Sequence, residues 1–460
     1  MAALHRADLL AASSAVGLAL VVGVLTVAGP AAPLGVLLAG SVIALCRHRK
    51  YAPMLFGFVG VAAAIVLLPA NALRLTGSAT YADVLLVAAL GAVALAMLSH
   101  WYAPTPPPLL VAGATLLALS VALSVLFEPA TRPNVYIFSE RGLPGAPSAD
   151  EEGWVIAVRL GFALLVVPYL IAVTITTWTR VRIAVGAWMV GAGASALVAV
   201  LAAFTGFDYQ ETLTGVQYSF IDFGPEADRL TGLAVHPSAL GLASAMAAPV
   251  AMVKLGDKNG WWWAALLALF GSAIVLSGAR AALIAVTIGA AYVAWKMPVA
   301  RRRLAVVALA AMTVGYVQSV DVSKFGIVQR ITGQAISSSQ SDSQRGAAFE
   351  QGFTYGLERP FGWGFDVIRG AHNLELGMIT AGGLPALIAL GLLVVGIFSM
   401  GRDLARRRDI PEDMHALATA LLGSLAVWFI AVQLQSNVFD RWLFIPGGLL
   451  LGMWFVAARS

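Results

Sequence analysis

Residues 369–398 read RGAHNLELGMITAGGLPALIALGLLVVGIF. An Arg and a His-Asn pair stand directly before an apolar run long enough to cross a hydrocarbon layer of about 30 Å. A titratable ring and an amide at the start of such a helix cost free energy when buried unless they find partners. This stretch therefore indicates a membrane helix that begins with polar residues. The side of the membrane on which these residues lie has to be inferred from the rest of the chain.

The composition indicates a polytopic membrane protein. Hydrophobic residues make up 59% of the chain and charged residues only 12%, whereas soluble domains carry about 25% charged residues. The first apolar run, from Leu9 to about Ala28, is followed almost at once by a second, so we interpret it as an uncleaved span rather than a signal peptide. A single cysteine, Cys46, excludes a disulfide framework or a cysteine-based metal site within the chain.

Apolar runs recur along the whole sequence and predict an all-α polytopic membrane helix bundle of about fourteen spans. They lie near residues 9–28, 31–46, 53–70, 82–98, 109–127, 154–177, 183–204, 238–254, 260–277, 280–296, 303–320, 375–399, 416–432 and 443–458.

The net charge of +5 is explained by topology. Basic residues are scattered between apolar runs and are not clustered with aromatics, so we expect no nucleic-acid partner. With a cytoplasmic amino terminus, every strongly basic short loop falls inside, as the positive-inside rule requires: RHRK (47–50), TRVR (179–182), KLGDK (254–258), KMPVARRR (296–303) and RDLARRR (402–408). The sequence thus predicts a multi-pass protein of the cytoplasmic (inner) membrane with both termini cytoplasmic.

This orientation places the long loops 128–153, 205–237 and 321–374 outside. Loops of such length usually carry function or are disordered, and the aromatic and glycine content of the second half of 321–374 argues against disorder. We divide the chain into N-terminal membrane helices (1–204), central membrane helices with the external loop 205–237 (205–320), a large external loop domain (321–374) and C-terminal membrane helices (375–460).

Two arginines are candidate anion ligands. Arg280 lies in a tight hairpin between two apolar runs, where it either snorkels to the interface or meets an anion. Arg345 stands at the start of a helical stretch in the large loop and could equally belong to a solvated face.

His372 and Asn373 begin a helix at the membrane surface, where amide N–H groups and the helix dipole attract anions. Glu375 follows on the same helical face and could orient the imidazole or raise its basicity. The alternative is a His-Asn pair that only caps the helix. His236, before Pro237, fits the start of another helix, because Pro is favoured in a first turn.

The order of these motifs resembles the O-antigen ligase and polymerase superfamily of bacterial surface-glycan enzymes. RLTGLAVHPSALG (229–241), LSGAR (276–280) and ERPFGWGFD (358–366), followed by HN and GG at the start of a late membrane helix, carry the resemblance over residues 225–400. It implies a GT-C-like membrane glycosyltransferase that takes a glycan from a polyprenyl-diphosphate carrier on the outer face of the membrane. The glycan passes to a lipid or growing-chain acceptor, with inversion and without a metal.

The resemblance also implies roles. Arg280 and Arg345 would contact the donor diphosphate, His372 would stand at the reaction centre, and Asn373 would be its partner. From their own positions in the sequence, we interpret Glu375 and His236 as supporting residues. Two features depart from the family: Phe349 stands where a Trp is common, and about twelve spans are usual. Arg330 and Arg359 lie in the same loop as Arg345 and are alternatives to it.

The residue types agree with this chemistry. Guanidinium groups can bind phosphate oxygens bidentately where no metal is available, and a His near neutral pKa suits a general base. The external acids form only a loose EAD (226–228), so we expect no metal and no cofactor, with the lipid carrier as a substrate.

Three other functions compete with a ligase. A polymerase that extends the donor glycan uses the same chemistry. A transporter or lipid-linked oligosaccharide flippase should carry ionisable residues at mid-span on several helices, whereas here they gather at helix ends. A non-catalytic scaffold of envelope assembly is the third.

Overall fold

The computed structural model describes residues 52–76, 79–98, 104–127, 153–207, 229–255, 260–305, 336–369, 373–434 and 440–459. Within them the predicted all-α membrane bundle is confirmed. The predicted spans 9–28 and 31–46, and most of 303–320, lie outside the described residues.

In chain order the helices are α1 (Ala52–Leu67), α2 (Tyr81–Leu98), α3 (Pro108–Leu126), α4 (Gly153–Gly161), α5 (Val167–Thr174), α6 (Trp178–Thr205), α7 (Pro237–Lys254), α8 (Gly260–Ser277), α9 (Arg280–Lys296), α10 (Ile336–Glu358), α11 (Leu374–Leu404), α12 (Glu412–Val432) and α13 (Ile445–Ala457). A π-helical turn, Phe162–Val166, joins α4 to α5. Short 3-10 turns, Phe365–Arg369 and Arg441–Phe444, precede α11 and α13. Strands Arg74–Thr76 and Ala79–Thr80 form a small antiparallel hairpin between α1 and α2.

Seven helical units in the described part are long and apolar enough to cross a membrane. They are α2, α3, the α4–α5 unit from Val155 to Thr174, α6, α8, α11 and α12. Two shorter apolar helices, Pro53–Leu67 and Arg441–Ala457, accompany them. The total of fourteen spans stays a prediction.

Helix α7 is the centre of the bundle. Its residues from Pro237 to Val253 are buried, and it packs against α6, α8, α9 and α12. The sequence PSALGLASAMAAPVAMV is rich in small residues, which let membrane helices approach closely. At Gly241 an added Cβ would lie 2.9 Å from the Ala279 Cβ, so α7 holds the hairpin before α9 through a contact that requires a small residue.

Helix α11 is broken near its middle. Gly383 has φ 69° and ψ −163°, a conformation outside the helical region that is essentially restricted to glycine. Pro385 follows within the helix and brings no N–H for the carbonyl four residues earlier. Carbonyl groups just before the break therefore lose their helical donors and need others.

Donors from distant segments satisfy these carbonyls. The segment Pro360–Gly364, named here the GWG strap, lies against the break: Trp363 N donates to Thr380 O at 2.8 Å and Gly364 N to Ala381 O at 3.0 Å. From α3, the buried Ser120 Oγ donates to Gly382 O at 2.8 Å. Backbone hydrogen bonds at the break thus connect the end of the large loop to a membrane helix.

The helix ends sort into two faces. On one, the polar face, Asn71 accepts from Val235 N at 2.8 Å and donates to Asp440 Oδ1 at 3.3 Å. The next residue after Asp440, Arg441, forms an ion pair with Asp83, and its Nε lies 2.7 Å from Asp83 Oδ1. Neither atom meets the angle for a hydrogen bond. The inter-helix loops before α2, α7 and α13 therefore meet at one end of the bundle.

The opposite end, the basic face, carries the arginine-rich connections. Arg182 pairs with Asp413 at 2.8 Å, Arg303 donates to Leu255 O, and Arg407 donates to Ala457 O at 3.4 Å. The predicted basic loops that contain Arg182, Arg303 and Arg407 thus lie at this end, whereas RHRK (47–50) lies outside the described residues. That this side is cytoplasmic stays a prediction from the positive-inside rule.

Candidate functional site

The start of α11 is part of a polar network on the polar face. Asn373 is the N-cap of α11, and its Oδ1 accepts from Leu376 N at 2.9 Å. Its Nδ2 donates to Gln433 Oε1 at 2.8 Å, at the end of α12. Gln433 Nε2 in turn donates to Glu375 Oε1. The side-chain amide of Gln433 thus connects Asn373, the predicted partner of His372, to Glu375, the predicted supporting acid.

Glu375 retains an unused acceptor. Its Oε2 is buried and has no hydrogen-bond partner among the described residues. An unpaired buried carboxylate oxygen is costly, so such an atom in a native structure calls for an explanation. His372, the predicted centre of the reaction, lies outside the described residues; in the sequence it directly precedes Asn373.

Arg280 is the first residue of α9 and is half-buried. The turn before it is tight: Gly278 has φ +61°, and Ala279 N donates to Ser277 Oγ at 3.3 Å. A second guanidinium holds this turn, because Arg229 Nε donates to Ser277 O at 2.8 Å. The first turn of α9 also presents the positive end of its dipole, so positive charge is concentrated at this hairpin.

His236 is the N-cap of α7, and its Nδ1 accepts from Ser238 N at 3.1 Å. This is the helix-start role that Pro237 suggests. The contact between Gly241 and Ala279 brings the first turns of α7 against the hairpin of Arg280. His236 and Arg280 therefore belong to one region of the polar face.

Arg345 lies within α10, which begins nine residues earlier than the sequence suggests, at Ile336. Its side chain is half-buried. The second half of α10 packs on α11: Thr380 Oγ1 donates to Gly352 O at 3.3 Å, and an added Cβ at Gly356 would lie 2.8 Å from Ile379 Cγ2. The large loop is thus anchored to the same helix that begins at Asn373.

The two alternatives to Arg345 differ in position. Arg359 lies with its guanidinium 4.5 Å from the ring centroid of Trp363, a cation–π contact with the GWG strap. Arg330 lies outside the described residues. Arg359 thus already has a structural role at the strap.

Sequence reasoning missed Gln433 and Arg229 as members of the site. Gln433 is a polar residue at the end of an apolar run, a signal of the same kind that singled out His372. Arg229 opens the motif RLTGLAVHP, but only the folded chain shows that it reaches Ser277. Among the described residues no group of three or more His, Cys, Asp or Glu side chains is placed to hold a metal ion.

These features define a class: a polytopic helical membrane protein whose polar residues collect at one end of the bundle, next to a large loop anchored on a broken helix. Residues 264–391 match the family model described as O-antigen ligase. The resemblance to the O-antigen ligase and polymerase superfamily found in the sequence is confirmed over these residues. The match includes Arg280, Arg345, the GWG strap and Asn373. No curated protein matches the chain.

Proposed function

We propose that the protein is a membrane glycosyltransferase that moves a glycan from a polyprenyl-diphosphate carrier to a lipid or glycan acceptor on the outer face of the cytoplasmic membrane. The observation that carries the proposal is the O-antigen ligase match over residues 264–391. Within the match, Arg280 and Asn373 stand at helix starts on the polar face, where a lipid headgroup would arrive. The positive-inside rule assigns the basic face to the cytoplasm and hence the polar face to the outside.

The reaction is a single displacement. The acceptor hydroxyl oxygen attacks the anomeric carbon of the glycan, the bond from that carbon to the diphosphate oxygen breaks, and the carrier leaves as polyprenyl diphosphate. The configuration at the anomeric carbon inverts, because attack and departure take place on opposite faces. His372 accepts the hydroxyl proton as general base.

Arg280 and Arg345 neutralise the charge that develops on the departing diphosphate, since charge-assisted contacts to phosphate need no metal. The hydrogen bonds of Asn373 and Gln433 supply a fixed support for this chemistry. The Oε2 of Glu375, which has no hydrogen-bond partner in the described part of the chain, is the acceptor that would orient the His372 imidazole.

One observation favours a transporter as a second candidate. Broken helices such as α11 line substrate and ion sites in many transporters. In α11, however, three carbonyls at the break already accept from Trp363, Gly364 and Ser120. These carbonyls are therefore not free to coordinate an ion, which favours a structural joint.

The test distinguishes the general base, His372, from the residues that bind the diphosphate, Arg280 and Arg345. His372→Ala should bind the lipid-linked donor with unchanged affinity and lose about 10²–10⁴-fold in turnover. Arg280→Ala and Arg345→Ala should each weaken donor binding by about tenfold to 100-fold, because each removes a charge-assisted contact. Donor affinity and single-turnover rate are measured on each purified variant in detergent.

Arg182→Ala is the matched control, because this arginine lies on the basic face and pairs with Asp413. It should leave donor affinity unchanged. Wild-type activity should also persist in a strong chelator; loss of activity that magnesium or manganese restores would show that an ion neutralises the diphosphate. A folded His372→Ala protein with full turnover would remove this residue from the mechanism.

A further inference from the structure

A cavity of about 480 Å³ lies within the bundle, away from the Arg280 hairpin. Its walls come from α2, α3, the α4–α5 unit, α11, α12 and α13, and they are almost entirely aliphatic or aromatic. The lining residues extend from Trp428, four residues before the end of α12 on the polar face, to Pro106, just before α3 on the basic face. On α11 and α12 the lining residues lie between Leu390 and Ile397 and between Leu425 and Trp428, so the cavity is a compact apolar space that suits a segment of one hydrocarbon chain.

Trp428 gives this cavity a polar feature. It lines the wall and is 4% exposed, and its Nε1 has no hydrogen-bond partner among the described residues. Buried indole N–H groups usually find an acceptor. Because α12 rises about 1.5 Å per residue, Trp428 lies only about 6 Å below the polar-face end of the helix, where the ester groups of a bilayer lipid meet the hydrocarbon.

The π-helical turn Phe162–Val166 supplies part of the same wall through Leu164 and Leu165. Such turns are rare and occur frequently at functional sites. On α13, Gly447 also lines the cavity, and the nearest atom to a Cβ added there would be 3.7 Å away. Such a Cβ would make an ordinary van der Waals contact with Ile397, so a small side chain fits at Gly447 and a larger one would extend into the cavity.

We infer that this cavity binds one acyl chain of a membrane lipid, with Trp428 Nε1 donating to the ester or amide carbonyl at the head of that chain. An isoprenoid chain has no acceptor at that depth, so the unpaired donor favours an acyl lipid. This site is distinct from the transfer chemistry of the proposed function. It can be tested without turnover.

The experiment measures lipid retention by native mass spectrometry of the purified full-length protein. The probes are a diester phosphatidylglycerol, its diether analogue, which lacks the carbonyls, and undecaprenyl phosphate. The wild-type protein should retain the diester lipid about fivefold to tenfold better than the diether, the value of one hydrogen bond. Trp428→Phe keeps an aromatic ring and should reduce diester binding to the diether level.

A filling variant tests the cavity itself. Gly447→Leu should prevent retention of both glycerolipids, whereas Gly186→Leu, at a position with nothing within 4 Å and outside the cavity lining, should not. Melting temperatures of the variants show that they are folded.

Three results would overturn the inference. They are equal retention of diester and diether lipid by the wild type, preferential retention of undecaprenyl phosphate that Gly447→Leu blocks, and a cross-link from a cysteine at Leu425 to residues 9–46 of the same chain. The last would show that a segment of the protein fills the cavity.

Discussion

Gly383→Ala should dissociate the GWG strap from α11 and destabilise the protein. At φ 69° and ψ −163° a residue with a Cβ is strained by about 1–3 kcal/mol. The added Cβ would also lie 2.0 Å from Pro360 O and 2.5 Å from Pro360 C. Both atoms are backbone, so the clash is relieved only when the strap moves away.

Movement of the strap removes two further interactions. Trp363 N and Gly364 N would lose Thr380 O and Ala381 O, each bond having a net value of about 0.5–1.5 kcal/mol. Together with the backbone strain, the expected loss in the free energy of unfolding is about 2–6 kcal/mol. Anchoring of the large loop should weaken at the same time.

The measurements are thermal unfolding in detergent and limited trypsin digestion after Arg345 and Arg359. Gly383→Ala should melt at lower temperature and be cut faster at these sites. Gly391→Ala is the matched control in the same helix, because nothing lies within 4 Å of its added Cβ; it should be neutral or stabilise by up to about 1 kcal/mol. If the Gly383→Ala protein melts at the wild-type temperature and resists trypsin as well as the wild type does, the GWG strap is not held on α11 by these contacts.

Three further predictions concern stability. Ser120→Ala should lower the free energy of unfolding by about 1–3 kcal/mol, because it leaves the buried Gly382 carbonyl at the break of α11 without this donor; calorimetric or fluorescence melting measures this. Asp83→Asn should lower the free energy of unfolding by about 2–4 kcal/mol, because it removes the negative charge that pairs with the largely buried Arg441. The double variant with Arg441→Gln should recover part of that free energy. The Arg407 guanidinium holds the pKa of the Asp409 carboxyl below its usual value of 3.8, so this pair stabilises the fold above that pH and its contribution disappears as the pH falls through the folded-state pKa. The melting temperatures of wild type and Asp409→Asn should therefore differ at pH 7 and converge toward pH 3, and a constant difference would contradict the assignment.

The helical class, the position of many spans and the grouping of basic loops on one face follow from local sequence. The run after Asn373 and the pair Arg182 and Arg303 illustrate this. Transfer of an apolar residue into a bilayer depends on that residue and its near neighbours, and the charge bias depends only on which loop carries the arginines. The family resemblance is local in the same sense, since it rests on short motifs in a fixed order.

The candidate site was only partly predictable, because its side chains find their partners in segments that are distant in the sequence. Asn373 and Arg280 could be singled out because each polar residue interrupts an apolar run at a helix end. Nothing in the order of residues shows that Gln433, 60 positions from Asn373, would bridge that residue to Glu375, or that Arg229 would hold the turn before Arg280. The partner of a side chain depends on which helices pack together.

The sequence by itself thus determined that this is a polytopic helical membrane protein with an O-antigen ligase-like region and polar residues at helix ends. Tertiary structure alone decided that α7 is the buried centre and that the GWG strap and Ser120 satisfy the carbonyls at the break in α11. It also decided that Trp428 Nε1 meets no acceptor among the described residues and lies beside an apolar cavity. The physical reason is the range of the interactions. Hydrophobic transfer acts residue by residue, whereas a backbone carbonyl freed by Gly383 and Pro385, or a buried indole N–H, is satisfied or left unpaired by segments that only the packed bundle brings near.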